Sequence, residues 1–408
     1  MTSTVHIAKV VYGGDGLGRL GDGRVVFVPG ALAGETVKAE IVTEKKNFVK
    51  ARLVEITDPS PDRTGTGEPP VPGMVYSNVS FKGELAAKEA QLVEMLERAR
   101  IAISAVRSDA NASISPLNYR NKVVYQFALV GRSPARLVMG YRKEPGHELV
   151  DVESDPLARP EINAKLPEIR SRVFALLTNG APSVRRSVEA EGRVTVRWSR
   201  LSGVQWWIGD AKNPVVMKET VCGKTFEVPS DGFWQVNPEV GEMLASHVAS
   251  IVAKDPPREI LDMYCGVGVL GLVSAAKLPR DGAQPPKLAG VESGRRAVDF
   301  ARKNAAALGF PQATFIASEA VRCLRKIGVG PDAAIIVDPP RGGLEQGVAK
   351  FLASCGAKRI VYVSCDPATL ARDLRTITAG YDVEGIRWFD MFPRTARFET
   401  VVELKKRK

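Results

Sequence analysis

A cysteine stands at the end of an apolar run, Ile360–Val361–Tyr362–Val363–Ser364–Cys365, and Asp366–Pro367–Ala368–Thr369–Leu370 follows at once. The run reads as a buried parallel strand. Asp366 suits the N-cap of a following helix and Pro367 its first position. Cys365 therefore lies at the carboxyl edge of a sheet, where open α/β sheets bind ligands. Oriented backbone N–H groups there can lower a thiol pKa, which makes Cys365 a candidate nucleophile. A buried, inert cysteine is the plain alternative. A second strand end, Val337–Asp338–Pro339–Pro340–Arg341, carries a carboxylate on a rim stiffened by two prolines. That rim would face both cofactor and substrate at the crevice of such a sheet.

A third strand end leads into a glycine-rich turn, Ile260–Leu261–Asp262–Met263–Tyr264–Cys265–Gly266–Val267–Gly268–Val269–Leu270–Gly271. Gly266, Gly268 and Gly271 match G-x-G-x-x-G, and Glu292 lies about twenty residues on, where an acid accepts hydrogen bonds from a ribose. The loop alone fits a nicotinamide dinucleotide as well as any other nucleoside cofactor. Asp338 and the cluster Gly232–Phe233–Trp234–Gln235–Val236–Asn237–Pro238 favour a methyl donor, S-adenosylmethionine.

The elements that must hold these residues alternate strand and helix from Gly232 onward. Strand-like runs are Glu259–Tyr264, Leu288–Val291, Thr314–Ile316, Ala333–Val337, Arg359–Ser364, Val383–Phe389 and Arg397–Leu404. Gly294–Leu308 and Gly342–Ser354 are helical. This predicts a doubly wound, largely parallel Rossmann-like α/β sheet over 231–408. Residues 1–58 read as a small OB-like β-barrel with Gly13–Gly18 as turns, and 59–73 as a linker. An amphipathic helix over Phe81–Arg100 places 74–108 against the catalytic domain. Residues 109–230 form a mainly-β central domain with one helix, Glu161–Leu177.

The 408 residues carry a net charge of +11, which suits a nucleic-acid partner. Lys45, Lys46, Lys50 and Arg52 surround Phe48, a pattern that can track a phosphate backbone and stack a base. Tyr119–Arg120–Asn121–Lys122 and Gly140–Tyr141–Arg142–Lys143 could hold RNA, or be surface charge beside core-edge tyrosines. Five cysteines without a C-x-x-C pair suit reduced thiols in a cytosol. Thr2–His6 lacks a signal-peptide core, and no apolar run is long enough to span a bilayer. The three histidines, His6, His147 and His247, sit in no triad-like or metal-binding context.

Together these residues resemble the RNA uracil-5 methyltransferases, which modify tRNA or 23S ribosomal RNA. The resemblance covers nearly the whole chain. Residues 5–58 resemble the TRAM module. Phe233–Asn237 is similar to the aromatic-Gln-Val-Asn motif, Leu261–Gly268 to the cofactor loop, Asp338–Arg341 to the Asp-Pro-Pro-Arg signature, Ser364–Leu374 to the nucleophile motif, and Phe398–Val402 to the C-terminal motif that holds the general base. The resemblance implies S-adenosylmethionine held by Gln235, Tyr264, Gly266, Gly268, Glu292, Glu319 and Asp338. It implies Cys365, Glu399 and Asp338 as the catalytic set, acting on carbon 5 of a uridine through a covalent Cys–uracil adduct. It further implies a monomeric cytoplasmic enzyme on structured RNA, ribosomal RNA ahead of tRNA. A cytosine target, a nicotinamide oxidoreductase and a non-catalytic RNA-binding protein are the other readings of these residues. Many members carry an iron–sulfur cluster on cysteines. Here Pro69–Ser77 contains none and the central position is Asp155, so no cluster is expected.

Overall fold

The computed structural model describes residues 2–407 except 103, 105, 112–114, 132, 133, 144, 145, 147, 280–284, 325 and 326, and gives only the backbone course of 107–111. His147 thus lies outside the described residues. Strands β1 (Thr2–Val10), β2 (Asp15–Arg19), β3 (Val25–Pro29), β4 (Thr36–Glu44) and β5 (Phe48–Asp58) close into a barrel in the order β1-β2-β3-β5-β4. Alternate apolar residues such as Val5, Ile7, Val26, Val28, Val37 and Ala39 fill it. The stretch expected as turns is largely strand β2. Its glycines serve close backbone approach, since a Cβ at Gly18 would lie 2.5 Å from the His6 carbonyl oxygen. The half-buried Phe48 ring meets Phe27 edge-on, centroids 5.8 Å apart.

Helix α1 (Phe81–Arg98) starts where the Ser80 hydroxyl accepts from Gly83 N–H at 2.9 Å. Leu92 and Leu96 pack it onto the C-terminal domain. Strand β6 (Val106–Asn111) follows. The central domain comprises β7 (Lys122–Val130), β8 (Arg136–Lys143), β9 (Glu148–Asp151), α2 (Pro160–Thr178), α3 (Pro182–Glu191), β10 (Arg193–Ser199) and β11 (Gly203–Ile208). Its sheet runs β11-β10-β7-β8-β9, and α2 covers one face through Ile162, Leu166, Ile169 and Val173. Two helices stand here where one was expected. Helix α3 buries only Val188, so no apolar period announces it; Pro182 starts it and Gly192, at φ +59°, ends it. Tyr119 and Tyr141 are internal ties rather than RNA-facing groups. The Tyr119 hydroxyl donates to the Pro393 carbonyl at 3.0 Å and that of Tyr141 to Asp155 at 2.6 Å.

Strands β12 (Val216–Val221) and β13 (Lys224–Pro229) form a hairpin expected in the central domain. Met217, Phe226 and Val228 instead join the core of α4 (Pro238–Ala253). The packing therefore changes hands before residue 216, not at 230. The rest is β14 (Glu259–Met263), α5 (Val269–Lys277), β15 (Lys287–Glu292), α6 (Arg295–Ala307), β16 (Thr314–Ala317), α7 (Ala320–Cys323), β17 (Ala333–Val337), α8 (Gln346–Ser354), β18 (Arg359–Ser364), α9 (Pro367–Ile377), β19 (Tyr381–Phe389) and β20 (Glu399–Lys406). The eight-stranded sheet is ordered β16-β15-β14-β17-β18-β20-β19-β6. Strands β16 to β18 in that order are parallel; β20 is antiparallel to both β18 and β19. Both faces of the sheet are covered. Ala334, Ile336, Val361 and Val363 enter one core, while Ile335, Val337, Ile360 and Tyr362 enter the other. That is why the central strands read as unbroken apolar runs.

One buried cation ties α1 to this sheet. Lys88 is fully buried and donates to Glu84 at 2.7 Å, Asp390 at 2.7 Å and the Phe392 carbonyl at 3.2 Å. Removing it would leave two buried carboxylates near each other with only Arg394, 3.4 Å from Glu84, as a counterion among the described residues. Lys88→Met should cost about 3–5 kcal/mol, read as a melting temperature roughly 6–15 °C lower; an unchanged melting temperature would contradict the role assigned to Lys88.

Candidate active site

The carboxyl ends of the parallel strands open onto a cavity of about 660 Å³. Gln235, Asp262, Tyr264, Gly266, Glu292, Glu319, Asp338, Arg341, Cys365, Arg397 and Glu399 all line it. Of the residues expected at the site only Gly268 does not reach the cavity. Its φ of +88° and the Leu272 side chain 3.0 Å from where a Cβ would stand make it a turn and packing glycine.

Each residue has a local reason for its place. Asn237 caps α4, its side chain accepting from Val240 N–H at 3.4 Å, with Pro238 at the first helical position. Asn121 of the central domain donates its side-chain amide to the Gln235 carbonyl at 3.0 Å, fixing Gln235 at the rim. Glu292 accepts from Gly266 N–H at 3.1 Å and Gly294 N–H at 2.8 Å, so it already braces the glycine loop. Tyr264 holds φ +62°, a strained value for a residue with a side chain, and its hydroxyl bonds Glu345. Gly266 has no atom within 4 Å of where a Cβ would stand, so the loop offers open space to a ligand. Buried Asp262 accepts from Gly271 N–H at 2.8 Å, while its other oxygen finds no hydrogen-bond partner among the described residues. Burial pushes its carboxyl up to about 7. An unpaired acceptor beside an open backbone loop fits the polar end of a nucleoside cofactor.

The reactive end is built by strand register. Ser364 on β18 lies opposite Thr400 on β20. Carrying that register one step on sets Glu399 opposite Cys365. Glu399 is buried, and its Oε2 has no hydrogen-bond partner among the described residues. Burial first, then the Asp338 charge, push its carboxyl well above the ordinary range, against the opposing pull of Arg341. Burial likewise lifts Asp338 to about 7.

The expectation of a lowered Cys365 pKa is corrected. Asp366 Oδ1 accepts from Ala368 N–H at 3.0 Å and Thr369 N–H at 3.1 Å, so the carboxylate occupies the helix N-terminus that was to stabilise a thiolate. Burial, then the charges of Glu399 and Asp338 and to a lesser extent Asp366, push the thiol up to about 12, against the opposing pull of Arg341. Asp373 backs the arrangement. It accepts from the Tyr362 hydroxyl and from Leu344 N–H, both at 2.8 Å, and so ties the Asp338 loop to β18.

Asp262, Arg341, Glu345 and Arg397 were given no role by sequence reasoning. Asp262 had a usable signal, an acid inside an apolar strand. Arg397 and Glu345 had none, being brought in from separate loops.

The residues at the positions of a family iron–sulfur cluster do not fit one. Val71 and Met74 pack into the central core. The Asp155 carboxylate is taken up by the Tyr125 hydroxyl at 3.2 Å, the Tyr141 hydroxyl at 2.6 Å and Leu157 N–H at 2.9 Å. A cluster needs thiolates, and none stands there.

Comparison with known proteins agrees with this geometry. Residues 214–407 match the tRNA (uracil-5-)-methyltransferase family and residues 2–54 the TRAM domain. An RNA methyltransferase of Streptomyces avermitilis is 31% identical over 98% of this chain and 97% of its own. One of Clostridium acetobutylicum is 27% identical over 96% and 94%. The crystal structure of Pyrococcus abyssi tRNA (uracil-54, C5)-methyltransferase in complex with S-adenosyl-L-homocysteine superposes with a TM-score of 0.72. It is 21% identical, and the match covers 98% of this chain and 100% of that one, which establishes the shared fold.

Only the thiolate reacts with an alkylating agent. With the thiol pKa near 12, iodoacetamide labelling of Cys365 in the free protein should rise about tenfold per pH unit from pH 7 to 10 without a plateau. Arg341→Ala removes a lowering charge and should slow labelling at fixed pH. A plateau near pH 8 would show that the thiol is not held up.

Proposed function

The chain belongs to the RNA methyltransferases of the tRNA (uracil-5-)-methyltransferase family, and from that premise we propose that it methylates carbon 5 of a uridine in structured RNA through a covalent adduct on Cys365. The observation that carries this is the placement of Cys365, Glu399 and Asp338 in one crevice with the glycine loop. An oxidoreductase would use the loop but leaves that triad idle.

Bound S-adenosylmethionine would supply an electrophilic methyl group, held by Gln235, Tyr264, Gly266, Glu292, Glu319 and Asp338 around the cavity. Carbon 5 of uracil is too weak a nucleophile to take it unaided. The Cys365 sulfur bonds carbon 6, which turns the ring into an enolate with carbanion character at carbon 5. The proton released by the thiol passes to Asp338, whose carboxyl near 7 can hold or release it at neutral pH. Carbon 5 then gains the methyl group. Glu399 takes the remaining proton from carbon 5, and the sulfur–carbon 6 bond breaks. The unpaired Oε2 of Glu399 is the acceptor left open for that proton. A stacked base cannot reach a half-buried thiol, so the target uridine is flipped or looped out.

The substrate we assign is ribosomal RNA ahead of tRNA, met by a monomer in the cytosol. Lys45 and Lys46 stand exposed at the tip between β4 and β5 and supply positive charge for its backbone. Among the described residues no helix is long and apolar enough to cross a membrane.

Mass mapping of RNA from cells lacking the protein should show one 5-methyluridine lost from ribosomal RNA; loss from tRNA instead would reassign the substrate. Cys365→Ala should lower transfer by about 10³-fold or more with cofactor binding retained. Glu399→Gln should accumulate a methylated protein–RNA adduct stable to denaturing gels. Free release of methylated RNA by that variant would rule out its role as the base.

A further inference from the structure

We propose that Tyr12, carried by the N-terminal barrel, is a positioning residue that sets Cys365 and Glu399 against each other for methyl transfer. The proposal rests on the function assigned above.

Tyr12 lies in the loop between β1 and β2, far in sequence from the catalytic strands, yet it touches the neighbours of both reacting side chains. On one side its hydroxyl donates to Asp366 Oδ2 at 3.4 Å. Asp366 follows Cys365 directly and caps α9 with its other oxygen. On the other side the Tyr12 ring meets Phe398 edge-on, centroids 6.0 Å apart, and Phe398 precedes Glu399. Arg397 closes the circuit. Its guanidinium donates to the Tyr12 hydroxyl at 2.8 Å and to Asp366 at 3.2 Å, and lies 5.4 Å from the centre of the Tyr12 ring. Arg397 also lines the cavity.

Docking of the barrel has other anchors. The Gln91 amide donates to the Val10 carbonyl at 3.2 Å, Lys9 pairs with Glu94, and Gly14 packs so closely on Val75 that a Cβ would stand 2.7 Å from it. Tyr12 is therefore not needed to hold the barrel in place. Its contacts act on the end of β18 and the start of β20, where a shift of about 1 Å can cost on the order of 10²-fold in rate.

The test uses the full chain with Tyr12→Ala and Tyr12→Phe. Single-turnover methyl transfer at saturating RNA should fall about 30-fold in Tyr12→Ala and only about 3-fold in Tyr12→Phe, which keeps the ring on Phe398 and under Arg397. Dissociation constants for RNA and S-adenosylmethionine should stay within about twofold of the parent. Labelling of Cys365 by iodoacetamide without RNA should be at least about threefold faster in Tyr12→Ala, where the turn opens to water, and unchanged in Tyr12→Phe. An unaltered rate at saturating RNA with weakened RNA binding would make Tyr12 a binding contact only and overturn the proposal. Equal losses in both variants with a lowered melting temperature would do the same. If the parent protein methylates no RNA, the assigned function fails, while the labelling comparison still decides whether Tyr12 governs the cysteine turn.

Discussion

Acidic groups crowd one crevice in this protein. Burial raises the pKa of Cys365, Asp338 and Glu399, the charges of Glu399 and Asp338 raise Cys365 further, Asp338 raises Glu399, and Asp262 carries a raised carboxyl on the same cavity wall. Such a set is costly to bury ionised and inexpensive to bury protonated. Asp338, near 7, can therefore take up or release a proton at neutral pH. Arg341 is the one cation that opposes this at both Cys365 and Glu399. It stands on the exposed rim, where an RNA phosphate can also reach it.

The fold reaches that crowding through strand direction. A fully parallel sheet would bring only carboxyl ends to the crevice. Inserting β20 antiparallel beside β18 brings an amino end there too, which is how Glu399 comes to face Cys365. The helix that follows Cys365 needs its N–H groups satisfied, and Asp366 satisfies them locally. Thiolate stabilisation by the helix is given up for a firm turn. The same economy shows in the central domain. Asp155, Tyr125 and Tyr141 form a hydrogen-bonded knot, and Val71 and Met74 join the same core.

Much of this was legible in the residues themselves. Asp366–Pro367 announced α9, and the apolar runs of β17 and β18 announced strands covered on both faces, because caps and periodicity are local physics. The fold of the catalytic domain and the placement of Cys365 at a strand end beside the glycine loop followed. What local pattern could not carry was wrong or absent. The glycines of β2 looked like turns because their purpose, close approach to His6, lies in a neighbouring strand. Helix α3 has no apolar stripe. The tyrosines beside basic residues point inward because Pro393 and Asp155, remote in sequence, accept their hydroxyls.

The sequence by itself determined which residue types could do chemistry and which strand ends would bear them. Only the tertiary structure decided their state. Burial and the company of Glu399 and Asp338, not the helix start, govern the Cys365 thiol, and Tyr12 arrives at its side from the far end of the chain. Secondary structure is written in neighbours a few residues apart. Ionisation and alignment depend on distances across the fold, which no local spacing encodes.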